Sequence, residues 1–163
     1  MEVIILADNK VTTLRPQGLK AEWGFSALIL DKENILFDTG QTGVAFENFM
    51  ILRRNAPSKL VLSHGHYDHT GGILPFVRAF DLEIYAHPDA FLPRYFENRY
   101  VGILTRREQI EAKIKEHKEP VEVSKDITAL GEIPRKYEQH LLSNSIIVRD
   151  KTEEKDKIRD LEF

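Results

Sequence analysis

One stretch restricts this chain more than any other: Leu60-Val61-Leu62-Ser63-His64-Gly65-His66-Tyr67-Asp68-His69-Thr70-Gly71-Gly72, an apolar run that passes directly into three histidines and a carboxylate. The apolar part reads as a buried strand. Half of the chain's six histidines stand at its end. On an extended backbone, residues two apart face the same side, so His64 and His66 can offer their rings to one ion, with Gly65 leaving the space between them free. A turn into a helix then brings Asp68 and His69 round from another direction, where they can serve a second ion beside the first. Imidazole and carboxylate in this number suit Zn²⁺, and Mn²⁺ or Fe accept the same ligands. Metal held there makes water nucleophilic near neutral pH, and Asp68 is the candidate catalytic carboxylate as well as a ligand.

The rest of the chain supplies a frame for that stretch. Val3 to Leu6 reads as a strand stopped by Ala-Asp-Asn, and Phe25 to Leu30 and Asn34 to Phe37 as two strands joined by Asp31-Lys32-Glu33. Val44, Ala45, Phe49 and Leu52 fall near helical spacing and predict a helix that ends before Asn55-Ala56-Pro57. Lys59 to Leu62 is strand, Ile73 to Phe80 is an amphipathic helix, and Glu83 to Ala86 is strand again. This alternation predicts a layered α/β architecture. Further on, Ile110 and Ile114 among many charges predict an exposed helix over Thr105 to His117, stopped by Pro120. Short strands are expected at 121–123, 127–130 and 145–148. The stretch from Asp150 to Asp160 is nearly all charged and reads as a solvated or mobile end. With 163 residues, one domain is expected at 1–149, followed by a charged tail or truncated end at 150–163.

Composition narrows the function. There is no cysteine, which leaves imidazole and carboxylate as the metal ligands. A formal net charge of −3 gives no basic field for nucleic-acid phosphates or anionic lipid. No stretch approaches the roughly 18 apolar residues of a membrane span, and the N-terminus does not look like a secretory signal. A cytoplasmic location is expected. The Lys- and Glu-rich, cysteine-free composition also suits a thermophile.

His64-Gly65-His66-Tyr67-Asp68-His69 resembles the His-x-His-x-Asp-His signature of the metallo-β-lactamase superfamily, and Ile35-Leu36-Phe37-Asp38-Thr39-Gly40 resembles that family's first motif. The resemblance implies a four-layer αββα sandwich with metals at the sheet edges, of which this chain is the N-terminal part. It also implies two zinc ions, the first on His64 and His66 and the second on Asp68 and His69, with Asp38 steadying the histidine loop from behind. Trp23-Gly24-Phe25-Ser26, the histidine stretch and Gly131-Glu132-Ile133-Pro134-Arg135 together are similar to the subgroup that contains 7,8-dihydropterin-6-methyl-4-(ribofuranosyl)aminobenzene-5′-phosphate synthase. The family's later ligands, two histidines and a bridging aspartate, have no counterpart in the pattern of this sequence. After His69 the chain offers His87, read as structural or surface, His117, read as solvated, and His140, a candidate substrate contact beside the Gly-Glu-Ile-Pro-Arg loop. Arg135 is a candidate for holding a phosphate or carboxylate. Trp23 is read as a packing anchor, with a ligand-lining role as the alternative. Phe91, Tyr95, Phe96 and Tyr100 fall near helical spacing, which points to packing.

Three readings follow. The first is a metal-dependent hydrolase acting on an ester, phosphoester or related small-molecule substrate. The second is a transferase like the dihydropterin synthase, and the third a catalytically incomplete metal-binding or assembly domain. A half-sandwich exposes an apolar sheet face, so a homo-oligomer or a separate chain carrying the C-terminal half is the expected partner.

Overall fold

Period-two alternation in short strands sorts side chains onto the two faces of a six-stranded sheet. The structure is a computed structural model that describes residues 1–133 and the backbone of two later strands, 145–149 and 152–155. The main sheet comprises β1 (Glu2–Ala7), β2 (Ser26–Leu30), β3 (Ile35–Phe37), β4 (Lys59–Val61), β5 (Glu83–Ala86) and β8 (Lys113–Glu116), in that spatial order. β1, β2 and β3 pair antiparallel, β2 and β3 through a short loop and β1 and β2 through the long connection 8–25, whereas β3, β4, β5 and β8 run parallel. Parallel neighbours need crossovers. Here α1 (Val44–Leu52) connects β3 to β4, and α2 (Tyr67–Thr70) with α3 (Ile73–Ala79) connects β4 to β5.

Ile4, Leu28, Leu36, Leu60, Ile84 and Ile114 stand in register across all six strands. They join the buried cluster that also takes Phe49 from α1 and Ile73, Phe76 and Val77 from α3. Phe46, Phe49, Phe76 and Phe80 interlock there; Phe46 meets Phe76 edge-on with ring centroids 5.2 Å apart, the arrangement aromatic quadrupoles favour. The opposite face carries Ile29, Ile35, Phe37, Val61 and Tyr85, covered by the hairpin of β9 (Val121–Ser124) and β10 (Ile127–Ala129). That cover stops short of β1, where Val3 and Ile5 remain 55% and 51% exposed. A second sheet has the order β12-β11-β6-β7, formed by β6 (Arg94–Phe96), β7 (Arg99–Tyr100), β11 (Ser145–Arg149) and β12 (Thr152–Lys155).

Expectation and structure part in the second half of the chain. Residues 105–117 do not form a helix: Arg107–Gln109 is a single 3₁₀ turn and Lys113–Glu116 is β8. Ile110 and Ile114 do share one core, as their spacing implied, but one reaches it from the loop and the other from a strand. Parallel pairing with β5 outweighs the weak helical preference of this segment. Glu83 completes the strand's register by taking both Lys113 and Lys115 as ion-pair partners. His117 is half-buried rather than solvated, because its N–H continues the pairing by donating to Ala86 O at 3.1 Å. Tyr95 and Tyr100 belong to a hairpin, not a helix, and meet across it with centroids 5.4 Å apart. Within the stretch expected to be a solvated end, Thr152–Lys155 is paired with β11; backbone pairing does not require apolar side chains.

Candidate metal centre

β3 and β4 are parallel neighbours, and Phe37 pairs with Val61 at their carboxyl ends. The chain that leaves each strand therefore emerges at the same edge, which brings the Asp38 turn beside the histidine loop. Asp38 takes a left-handed conformation, φ 53°, tolerable for Asp. Its own N–H donates to Val61 O at 3.0 Å, and Ser26 Oγ donates to its carbonyl at 2.8 Å. The carboxylate is fully buried. Oδ1 accepts from the Ser63 N–H at 2.8 Å, while Oδ2 accepts from Ser63 Oγ at 2.6 Å and from His69 Nδ1 at 2.7 Å.

This network fixes how the rings present themselves. Ser63 has one hydroxyl proton, and Asp38 takes it; Ser63 Oγ can then only accept from His64 Nδ1, which lies 2.8 Å away. His64 and His69 are both held as Nδ1–H tautomers, so both leave Nε2 with its lone pair outward, the form in which imidazole binds metal. The rings converge: the His64 centroid is 4.7 Å from that of His66 and 4.2 Å from that of His69. Asp68 Oδ2 lies 3.8 Å from His69 Nε2, on the ring edge that faces away from Asp38. The donor set fits a small, borderline-soft divalent ion. Among the described residues no three or more His, Asp or Glu side chains are grouped as a bound metal ion would need; His64, His66, His69 and Asp68 are the donors that such an ion would draw together.

Burial pushes the Asp38 carboxyl up from its ordinary range, and the hydrogen bonds and charge of His69 and the hydrogen bonds of Ser63 offset this only in part, so that it stays raised. With three donors aimed at it, the ionised form is the one the geometry satisfies. For His69, burial disfavours the imidazolium, but the hydrogen bond and negative charge of Asp38, with a smaller contribution from Asp68, outweigh it and raise the pKa.

Gly65 does not leave free space between the rings, as the sequence suggested. A Cβ there would lie 1.9 Å from Ala90 O and 2.4 Å from Arg94 Nη1, so the space is already filled from behind. Arg94, fully buried, donates from Nη1 to Ala90 O at 2.8 Å and backs the loop. Ser63 and Arg94 were not singled out from the sequence. Ser63 was findable, since it directly precedes His64 at the strand's end; Arg94 was not, because only the tertiary fold brings it to Gly65. His87 is buried rather than at the surface, its Nδ1 accepting from the Asp89 N–H at 3.0 Å. Trp23 is not a packing anchor: it is 65% exposed, because its two neighbours take up the contacts with the site. Arg135 and His140 lie outside the described residues.

The sequence profile of the Metallo-beta-lactamase superfamily matches residues 24–152. The chain belongs to this superfamily. A protein of Methanocaldococcus jannaschii named as uncharacterised is 38% identical over 149 residues, 86% of this chain and 57% of that one. The 7,8-dihydropterin-6-methyl-4-(β-D-ribofuranosyl)-aminobenzene-5′-phosphate synthase of the same organism is 34% identical over 116 residues, 63% of this chain and 39% of the synthase. A crystal structure described as a metal-dependent hydrolase of the β-lactamase superfamily superposes with a TM-score of 0.75 at 25% identity, covering 98% of this chain and 59% of that one. This metallo-β-lactamase-superfamily chain thus has the mixed α/β fold of its relatives and spans between about two fifths and three fifths of their length. Members of the superfamily bind metal ions. Among the described residues, no helix is long and apolar enough to cross a membrane.

Asp38→Asn retains the size of the side chain but turns one acceptor into a donor facing Ser63 or His69. Metal affinity is expected to fall about 10- to 100-fold, the usual cost of losing a hydrogen-bond partner of a ligating histidine, as measured by titration with a competing chelator. Ser63→Ala, which removes the tether of His64 and one donor to Asp38 but leaves the Asp38–His69 bond, is expected to cost less.

Proposed function

We propose that this chain carries the metal site of a hydrolase that acts on an ester, phosphoester or related small-molecule substrate. The observation that carries the reading is the buried Asp38–Ser63 pair, which holds His64 and His69 as Nδ1–H tautomers with their ring centroids 4.2 Å apart. A fold does not need two imidazoles held in this way for stability alone, and a metal site does. In this reading His64 and His66 hold a first ion and Asp68 and His69 a second; zinc fits best, with manganese or iron accepted by the same donors. Bound divalent metal supplies Lewis-acid chemistry, polarising the substrate and making water nucleophilic near neutral pH. The chain's own residues keep the ligands in place and in the correct tautomer: Asp38 accepts a hydrogen bond from His69 Nδ1–H, Ser63 Oγ accepts one from His64 Nδ1–H, and Asp68 adds negative charge beside His69. Arg135 and His140 are proposed as substrate contacts.

The similarity to the dihydropterin synthase supports a second reading, in which the same centre assists a group transfer to a pterin rather than to water. The two readings share the metal site and differ in the acceptor.

The exposed Val3 and Ile5 beside Ile29 and Phe37 support a further proposal. This sheet face is covered in the working protein, either by the remainder of a sandwich on a longer or separate chain or by a second copy of this one. Light scattering of the chain by itself is then expected to show association that grows with concentration; a monomer at all concentrations would argue against it.

The site assignment is tested by His64→Ala combined with His66→Ala. Uptake of zinc by the wild type, with loss of most of that uptake in the double variant, is the expected result in elemental analysis after dialysis. Phosphodiester or ester hydrolysis by the metal-loaded wild type is expected to disappear with it. Equal metal content in the two proteins contradicts the assignment.

A further inference from the structure

Trp23 is the chain's single tryptophan and keeps 65% of its surface exposed. An indole is among the side chains a fold gains most by burying, so its exposure calls for a reason. A loose surface loop is not the reason, because the residues on either side of it are tied down. On the N-terminal side, Glu22 Oε1 accepts from the N–H groups of Gln41 at 3.0 Å and Thr42 at 3.3 Å, and Oε2 accepts from the Thr42 hydroxyl at 2.6 Å. On the C-terminal side, Gly24 has φ 125° and lies so close to the histidine loop that a Cβ would sit 2.1 Å from Asp68 O. The Phe25 N–H donates to that same oxygen at 3.2 Å, and Gly40 N–H donates to Phe25 O at 2.9 Å. The peptide bearing Trp23 is thus stitched between two turns, the one that follows Asp38 and the one that carries Asp68.

This arrangement holds a large flat π-surface on a fixed backbone at the border of the metal-ligating loop. Ligand sites combine such aromatic walls with a few convergent polar groups. A side chain with two torsions on a tethered backbone also has little freedom to lose when a ligand binds. We propose that Trp23 is the platform on which a planar ring of the substrate stacks beside His64, His66, Asp68 and His69. The substrate class is thereby narrowed to small molecules that carry a flat aromatic or heteroaromatic group next to the bond that reacts. This inference rests on the reading of those four residues as the metal site.

The test uses the whole chain loaded with zinc and two flat probes, pterin and phenylphosphonate, whose C–P bond is not an ester, with wild type compared to Trp23→Phe and Trp23→Ala. Dissociation constants are read by equilibrium dialysis, and zinc content is measured on every sample. Trp23→Phe, which keeps a ring, is expected to stay within about threefold of wild type, while Trp23→Ala weakens ring binding about tenfold, the scale of one base–aromatic stack. Zinc content stays equal in all three. In the wild type, both probes quench the emission of the single tryptophan. Equal affinity of wild type and Trp23→Ala for both probes, absence of binding included, overturns the proposal, as does zinc lost along with the ring. Failure of the metal reading looks different: the wild type takes up no zinc, and a tenfold loss in Trp23→Ala without metal leaves the platform standing on its own.

Discussion

The Asp38 carboxylate sits in the interior of the protein with three hydrogen-bond donors around it, two from Ser63 and one from His69. A buried carboxylate is tolerable only when its charge is answered in this way; with its partners removed, such a group costs several kcal/mol. Much of the local architecture follows from meeting that demand. β3 has to deliver Asp38 and β4 has to deliver Ser63 at the same edge, and parallel pairing of the two strands does so in register. Parallel pairing in turn requires α1 as a crossover, and α1 requires the apolar layer against which Phe49 and Phe76 pack. The hydrogen bonds that satisfy Asp38 are the same ones that set the tautomers of His64 and His69, so the stability of the edge and its chemistry are one arrangement.

The two faces of the sheet have different standing. The helix face is closed by the aromatic cluster of α1 and α3. The other is closed by β9 and β10 over Ile35, Val61 and Tyr85, and open at β1, where Val3 and Ile5 stand out in solvent. The three relatives described above are longer than this chain.

Much of the first half of the fold was legible in the sequence, because its signals are local. Apolar runs at Ile35–Phe37 and Lys59–Leu62, helical spacing from Val44 to Leu52, and a ligand-rich turn directly after a strand each need only a few neighbouring residues to be read. Asp38 was placed near the histidines through its resemblance to a known motif, whereas its hydrogen bonds to Ser63 and His69 depend on a strand pairing that no local pattern reveals. The helix expected at 105–117 shows the opposite case: Ile110 and Ile114 are spaced as in a helix, and the edge of β5 decided otherwise. Gly65 looked like open space and is instead a close approach to Ala90 and Arg94, groups about 25 to 30 residues away in sequence. Trp23 looked like a packing residue because tryptophans usually are; its exposure follows from the ties of Glu22, Gly24 and Phe25, which only the folded chain shows.

The most direct measurement is a crystal structure of the zinc-soaked chain with anomalous data collected at the zinc edge. An anomalous peak is expected within coordination distance, about 2.0–2.1 Å, of Nε2 of His64 and of a ring nitrogen of His66. Asp38 should remain off the metal, bonded to Ser63 and His69. A peak bound directly by Asp38, or zinc held anywhere but at the His64–His69 loop, would contradict the assignment.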